Sequence, residues 1–376
     1  LVIDWEREKQ MIKKRLARLR AQIQAAELDG LLVTLPANRR YLSGFQHDDG
    51  QWGESSGALL VTPNQALILT DFRYALSAKE QAPYFTTCIY PQGLDRELVR
   101  IAGEARIRRL GFESDGLLVS TERRLAEALK GVELIPTSNM VSSLRHCKDP
   151  GETRLVERSL ALMEKVLAQT LKADLVGKTE RELALGLIRA TEDAGAEEAA
   201  FAPIVASGPK GAEPHATPGP RKIKPGDPVV FDVGAKLDGY ISDISRTVVA
   251  GGLEQADQKF LQVYPVVRRA QMRAIAEIRP GMTGKEADAI AREVIAEAGF
   301  GAGFGHSLGH GVGLATHEAP SLGPNSKDRL EAGMIFTIEP GIYLPGWGGV
   351  RLEQMVELTS LGCRLLNQLD DFYALD

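Results

Sequence analysis

The chain has 376 residues, 44% of them hydrophobic and 25% charged, with a formal net charge of −5. That length suggests two domains, each with enough apolar side chains for a core of its own. The interspersed charges do not suggest a nucleic-acid partner. No apolar run approaches the roughly 18–20 residues a membrane span needs, and three widely spaced cysteines, Cys88, Cys147 and Cys363, fit a reduced, cytoplasmic protein.

The opening LVIDWEREKQ lacks the basic-then-apolar pattern of a signal peptide, and its start at Leu1 rather than Met suggests a trimmed boundary. Residues 5–28 carry apolar side chains every three or four positions, which predicts a helix. GLLVT (30–34), ALLVT (58–62) and ALILT (66–70) read as strands, the last two joined by a Pro-Asn turn, and RRLGFE (108–113) reads as another. This half, residues 1–146, is expected to be a small α/β domain. RHCKDPGE (145–152) suits a domain connection, and a long amphipathic stretch follows from about Thr153 to Lys172.

The second half, residues 147–376, contains an internal repeat. Thr179 with Glu182, and Thr283 with Glu286, form two capping-box signatures 104 residues apart. PGDPVVFDVG (225–234) and AGMIFTIEPG (332–341) each place a carboxylate six residues after one glycine and two before another; these are Asp232 and Glu339, 107 residues apart. A duplicated helix-then-strand unit would set two related halves face to face.

An ionised Asp inside an apolar strand such as VVFDVGA costs several kcal/mol unless it is paired or bound to a cation, about 2–7 kcal/mol for a polar group and more for a charge. Asp243 follows Asp232 across a turn at Asp238-Gly239, and Glu353 follows Glu339 across LPGWGG. Each hairpin brings two acids together, and they repel unless something positive lies between them. If the halves face each other, four carboxylates converge, a charge matched by two divalent cations. A lone Asp in a strand is ordinarily an edge or turn residue; two acid pairs in duplicated contexts beside a histidine cluster argue otherwise.

That cluster, FGHSLGHGVGLATHEAP (304–320), holds His306, His310 and His317. The zinc-protease helix pattern needs Glu directly after its first His, whereas Ser307 follows here, and Gly305, Gly309, Gly311 and Gly313 argue against a helix. The glycines suggest close backbone approach to a ligand. Any one of these histidines alone is more often structural; with four carboxylates to complete, one His ligand is expected.

Asp232, Asp243, His310, Glu339 and Glu353, in that order and spacing, resemble the five ligands of the pita-bread metallopeptidases, a family that includes methionine aminopeptidase, aminopeptidase P and prolidase. FAPIVASGPKGAEPHATP, VVFDVGAKLDGYISDISRT, GHSLGHGVGLATHE and EPGIY carry the likeness, and LDGLLVTLPANRRYLSGF resembles the extra N-terminal domain of the prolidase and aminopeptidase P branch. The resemblance implies an α+β fold: a pita-bread catalytic domain with a pseudo-two-fold repeat, plus a smaller α/β domain. It implies that Asp232 and Asp243 hold one metal, that Asp243 and Glu353 bridge both, and that His310 and Glu339 complete the second. His215, His306 and His317 would contact the scissile amide and the tetrahedral intermediate. Arg351 would lie near the bridging glutamate, with Tyr343 and Tyr240 lining the same region. A homodimer is implied as well.

Such a site would hydrolyse the Xaa-Pro bond at the start of a peptide by way of a bridging hydroxide. Hard carboxylate oxygens with one imidazole favour manganese or cobalt, with zinc as the other option. Glu339 would bind metal and carry the proton from water to the leaving nitrogen. Several prolidases follow the His-Glu-x-Pro run with an Arg that grips a dipeptide carboxylate; Ser321 stands there, which favours an aminopeptidase P-like enzyme over a prolidase. Another basic residue, of this chain or of a partner subunit, could replace that Arg, with Arg39 and Arg40 as candidates. The other readings are a small-amide hydrolase of creatinase type, which works without metal and so disagrees with the full ligand set, and an inactive binding protein that kept the fold.

Overall fold

The computed structural model describes residues 5–47, 49 and 54–375, with side chains of the first helix described from Gln10 onward. The first four residues of LVIDWEREKQ lie outside the described residues. The chain divides into two compact units, the first ending at Arg145 and the second beginning at His146.

The first unit is a six-stranded sheet in the order Thr86–Ile89, Ala66–Thr70, Ala58–Val61, Gly30–Val33, Arg109–Glu113, Glu133–Thr137. Gly30–Val33 and Ala58–Val61 are buried at every position, as continuous apolar runs with both faces covered should be. Ala58–Val61 and Ala66–Thr70 pair antiparallel, with Val61 opposite Ala66, so Pro63-Asn64 turns the hairpin as expected. Arg39 does not reach outward. Its side chain is fully buried and donates to the carbonyls of Gly57 and His47 and to Asp49 Oδ1. A guanidinium spent on its own loop cannot grip a substrate, which corrects that expectation.

The second unit shows the repeat. Asp149 caps the helix Pro150–Leu171 and closes a capping box with Glu152, so the helix begins at the proline, three residues before the expected start. Thr179 and Thr283 then cap Glu180–Asp193 and Gly284–Glu297, both 14 residues and both with the reciprocal Glu at the third position. Each Thr also bridges a later residue, Thr179 to Lys222 and Thr283 to Arg329. A long helix precedes the second capped helix as well, Gln258–Glu277. Each half ends in an antiparallel pair: Pro228–Val233 with Ile244–Val249, and Ile335–Ile338 with Gln354–Thr359. Helix faces and the backs of these strands share two apolar cores, one around Leu167, Leu187 and Phe231 and the other around Val267, Ile295 and Phe336. Among the described residues no helix is long and apolar enough to cross a membrane.

Candidate metal centre

Within the strand Pro228–Val233 every residue is buried except Asp232, which is half-buried. The strand alternates, and its acid points to the cavity instead of the core. Opposite it stands Ser245, two residues after Asp243, and Asp238-Gly239 turns the chain between them with both residues at positive φ, 47° and 70°. In the other half, Ile338 is opposite Gln354, so the flanking Glu339 and Glu353 are placed to meet across the same ladder.

One carboxylate oxygen from each of Asp232, Asp243 and Glu353 lies within 4.8 Å of the others. His310 Nε2 is 3.3 Å from Glu339 Oε1 and 3.7 Å from Asp243 Oδ2. The five residues therefore form one contiguous set, three acids on one side and the His310–Glu339 pair on the other, joined through Asp243. His310 Nδ1 faces the carbonyl of Gly311 at 3.1 Å. With Nδ1–H donating to that carbonyl, Nε2 is left turned to the acids, the tautomer a metal ligand needs.

The electrostatics fit a cation. Burial, then the neighbouring carboxylates, push Asp243 and Glu353 well above the usual range. Burial would raise Glu339 too, but the hydrogen bond and charge of His310 outweigh it and hold Glu339 at about 2. Burial opposes charge on His310, yet Glu339 raises it to about 9. Asp232 Oδ1 and Glu353 Oε1 are buried without a hydrogen-bond partner among the described residues. Orphaned oxygens of this kind are costly unless something satisfies them. Carboxylates and one imidazole, with no thiolate, suit hard divalent ions.

The glycines around His310 serve the strands. A Cβ on Gly309 would lie 2.0 Å from the Thr337 carbonyl oxygen, and one on Gly311 would lie 2.2 Å from that of Ala319. Two neighbouring strands close in on Gly309–Gly311, and the space expected for substrate backbone is filled by their carbonyls.

Arg351 reaches Asp232 Oδ2 at 2.6 Å and also donates to Ser245 Oγ, the Pro214 carbonyl and the Tyr343 hydroxyl. Both ring nitrogens of His306 are engaged, Nδ1 with Ser307 O at 2.8 Å and Nε2 with the Tyr343 hydroxyl at 2.9 Å. Burial holds its pKa below the ordinary value, so the ring is neutral: Nδ1–H donates to the carbonyl and Nε2 accepts from tyrosine. His306 thus lines the cavity with its ring, while its nitrogens serve the protein. The His317 ring centroid is 4.2 Å from that of His310, and burial, then His310, lowers its pKa. His215 lines the same cavity.

Tyr240 does not line this region. Its hydroxyl donates to Glu152 Oε1 at 2.9 Å and its ring packs with Val156 and Leu160 of the helix Pro150–Leu171. That expectation is corrected: in a two-residue strand, Tyr240–Ile241, sequence alternation does not decide which side faces the core. Tyr343 lies behind the cavity wall, against His306 and Arg351.

The cavity measures about 930 Å³, within the size range of small-ligand sites. Phe201, Pro203, Pro214 and Ala216 contribute apolar lining, and Glu318, Ser321 and Asp328 contribute polar lining. Lys148, with only 2% of its side chain exposed, pairs with Glu318 at 2.7 Å. Sequence reasoning missed Thr337, whose hydroxyl donates to Glu339 Oε1 and accepts from His310 N, each at 3.1 Å. Its place two residues before Glu339, on the same strand face, was the available signal.

Comparison with known proteins converges on one family. The family model described as metallopeptidase family M24 matches residues 154–360, and that of the creatinase/prolidase N-terminal domain matches 15–147. The Xaa-Pro dipeptidase of Pyrococcus furiosus is 34% identical over 360 residues, 96% of this chain and 99% of the relative. An Xaa-Pro dipeptidase structure from Bacillus anthracis superposes with a TM-score of 0.89 at 36% identity, covering 95% of this chain and 98% of that one. An X-Pro aminopeptidase from Thermotoga maritima gives 0.83 at 33%, covering 91% and 96%.

Proposed function

Because the chain belongs to metallopeptidase family M24, with a creatinase/prolidase N-terminal domain ahead of the pita-bread domain, we propose that it is a divalent-metal-dependent Xaa-Pro dipeptidase. The observation that carries the chemistry is the convergence of three carboxylates on the His310–Glu339 pair, with two buried oxygens lacking a hydrogen-bond partner among the described residues. The relatives carry the substrate class, since two of the proteins matched over nearly their whole length are named Xaa-Pro dipeptidases. The aminopeptidase P-like preference drawn from Ser321 gives way to this reading: one missing arginine does not outweigh likeness along the entire chain. The X-Pro aminopeptidase among the structural neighbours is the reason to test longer peptides as well.

In this reading Asp232, Asp243, His310, Glu339 and Glu353 hold two divalent ions, manganese or cobalt in preference to zinc. When bound, the ions supply Lewis acidity, acidifying water and polarising the scissile carbonyl. The residues supply the rest. Glu339, kept ionised by His310, accepts the proton of the attacking water and delivers it to the prolyl nitrogen. That nitrogen carries no hydrogen in the amide and cannot leave without one. His317 and His215 donate hydrogen bonds to the developing oxyanion, where loss of one donor costs about 10²–10³ in rate. Tyr343 and Arg351 fix His306 and Asp232. The apolar lining of Phe201, Pro203 and Pro214 suits a pyrrolidine ring.

Residues 147–376 form the catalytic domain and residues 1–146 the creatinase/prolidase-like domain. Three widely spaced cysteines support a reduced, cytoplasmic protein, and family likeness supports a homodimer. The deciding experiment offers the manganese-loaded enzyme an Xaa-Pro dipeptide and the corresponding Xaa-Pro tripeptide. Cleavage of the dipeptide is expected; cleavage confined to the tripeptide overturns the dipeptidase assignment.

A further inference from the structure

Arg246 lies in the strand Ile244–Val249, three residues after Asp243, and is only 2% exposed. A buried guanidinium needs a compensating charge and full hydrogen bonding. The charge comes from the C-terminal segment: Nε donates to Asp371 Oδ1 at 2.5 Å and Nη2 to the Leu369 carbonyl at 3.4 Å, while the Phe372 ring lies 4.2 Å from Cζ. Tyr373 fastens the same segment again, its hydroxyl accepting from Val249 N at 3.1 Å and its own N–H donating to the Tyr264 hydroxyl at 3.0 Å.

The remaining arm of Arg246 points to the metal centre. Nη1 donates to the main-chain carbonyl of Glu353 at 2.7 Å and to that of Ser245 at 3.1 Å, and Glu353 N donates to Ser245 O at 3.1 Å. Glu353 sits in the gap between the strands Gly348–Arg351 and Gln354–Thr359. Its main chain is therefore held by two consecutive residues of the neighbouring strand, and its side-chain Oε1 is buried with no hydrogen-bond partner among the described residues.

We propose that the C-terminal segment Leu369–Tyr373 is a positioning element of the metal centre, acting through Arg246 on the main chain of Glu353. Asp371 and Phe372 set the guanidinium, the guanidinium sets the Glu353 carbonyl, and the carboxylate follows. This rests on the reading of Glu353 as a metal ligand.

The test titrates manganese chloride calorimetrically into the full-length, metal-stripped protein and into Asp371→Asn, Phe372→Leu, Asp370→Asn and Glu353→Gln, with circular dichroism and thermal melts of each. Asp371→Asn is expected to weaken manganese binding by about 10- to 100-fold, the range for groups that orient a ligand. Phe372→Leu, which keeps the ion pair and removes only the ring, is expected to weaken it at least about threefold. Asp370→Asn, on the exposed neighbour, is expected to bind as the parent does. Should Asp371→Asn fail to fold, Phe372→Leu decides. Weak binding by Glu353→Gln together with parental affinity in Asp371→Asn and Phe372→Leu, even with a lowered melting temperature, overturns the positioning role. Parental affinity in Glu353→Gln instead overturns the ligand assignment beneath it.

Discussion

Replacing Tyr343 by Phe removes a single hydroxyl from a side chain that is 7% exposed. The hydroxyl accepts from Arg351 Nη1 at 2.9 Å and gives its proton to His306 Nε2 at 2.9 Å. Arg351 keeps Pro214 O, Ser245 Oγ and Asp232 Oδ2, so it loses one partner of several. His306 Nε2 loses its only hydrogen bond among the described residues. A buried acceptor stranded in this way costs about 1–3 kcal/mol, which lowers the melting temperature by about 2–12 °C in a domain of this size. The imidazole, now held only through Nδ1, is free to turn, and kcat is expected to fall by up to about 100-fold. Melts and steady-state hydrolysis of an Xaa-Pro dipeptide measure both effects. Nitrogen-15 spectra of the imidazoles test the premise, because the parent His306 must be neutral with its proton on Nδ1. A charged ring at pH 7, a proton on Nε2, or a variant with parental melting temperature and kcat would refute the reasoning.

Glu339→Gln keeps shape but removes the proton carrier, so hydrolysis is expected to disappear while circular dichroism is retained; a fully active variant contradicts the role. Arg292 holds the histidine loop by donating to the carbonyls of Phe304 and His306, each at 2.8 Å, and by pairing with buried Asp288. Arg292→Met should cost about 3 kcal/mol, the low end for a broken buried pair because Arg292 is 28% exposed, and an unchanged urea midpoint would show that the clamp contributes nothing. Metal removal should give an unusual pH dependence. Asp243 and Glu353 have raised pKa values, so the folded chain binds protons that the unfolded chain has lost. Their contribution is present below the ordinary carboxylate pKa of about 4 and is lost as pH climbs through the raised values. Glu339 has the opposite sign, and its contribution disappears only as pH falls below about 4.5 toward 2. Chelated protein is therefore expected to melt lower at pH 7.5 than at pH 5.5, and divalent ions to remove the difference; equal melting temperatures after chelation would count against it.

Much of the site was legible because its signals are local. The capping boxes at Thr179 and Thr283, the Asp238-Gly239 turn, and two acids embedded in apolar strands each depend on residues within a few positions of one another. A hairpin converts that spacing into proximity without help from the rest of the fold, so Asp232 with Asp243, and Glu339 with Glu353, could be paired on paper. The duplication then implied that the pairs face each other.

What the linear order could not supply is which face or partner each remaining side chain finds. Tyr240 turned to Glu152, 88 positions away. Arg39 folded back into its own loop. His306 spent both nitrogens on Ser307 and Tyr343, and Arg246 bonded to Asp371 and Glu353, each more than 100 positions away from it, as a brace behind Glu353. Such contacts follow from strand register and helix packing, where a half-turn or a one-residue slip exchanges one partner for another. Residue type, spacing and turn chemistry in the sequence determined that two acid pairs form beside a histidine cluster. Only tertiary packing decided which nitrogen is free, why Gly309 and Gly311 must lack a side chain, and what holds the carboxylates still, because those depend on distances between segments that the chain joins only by folding.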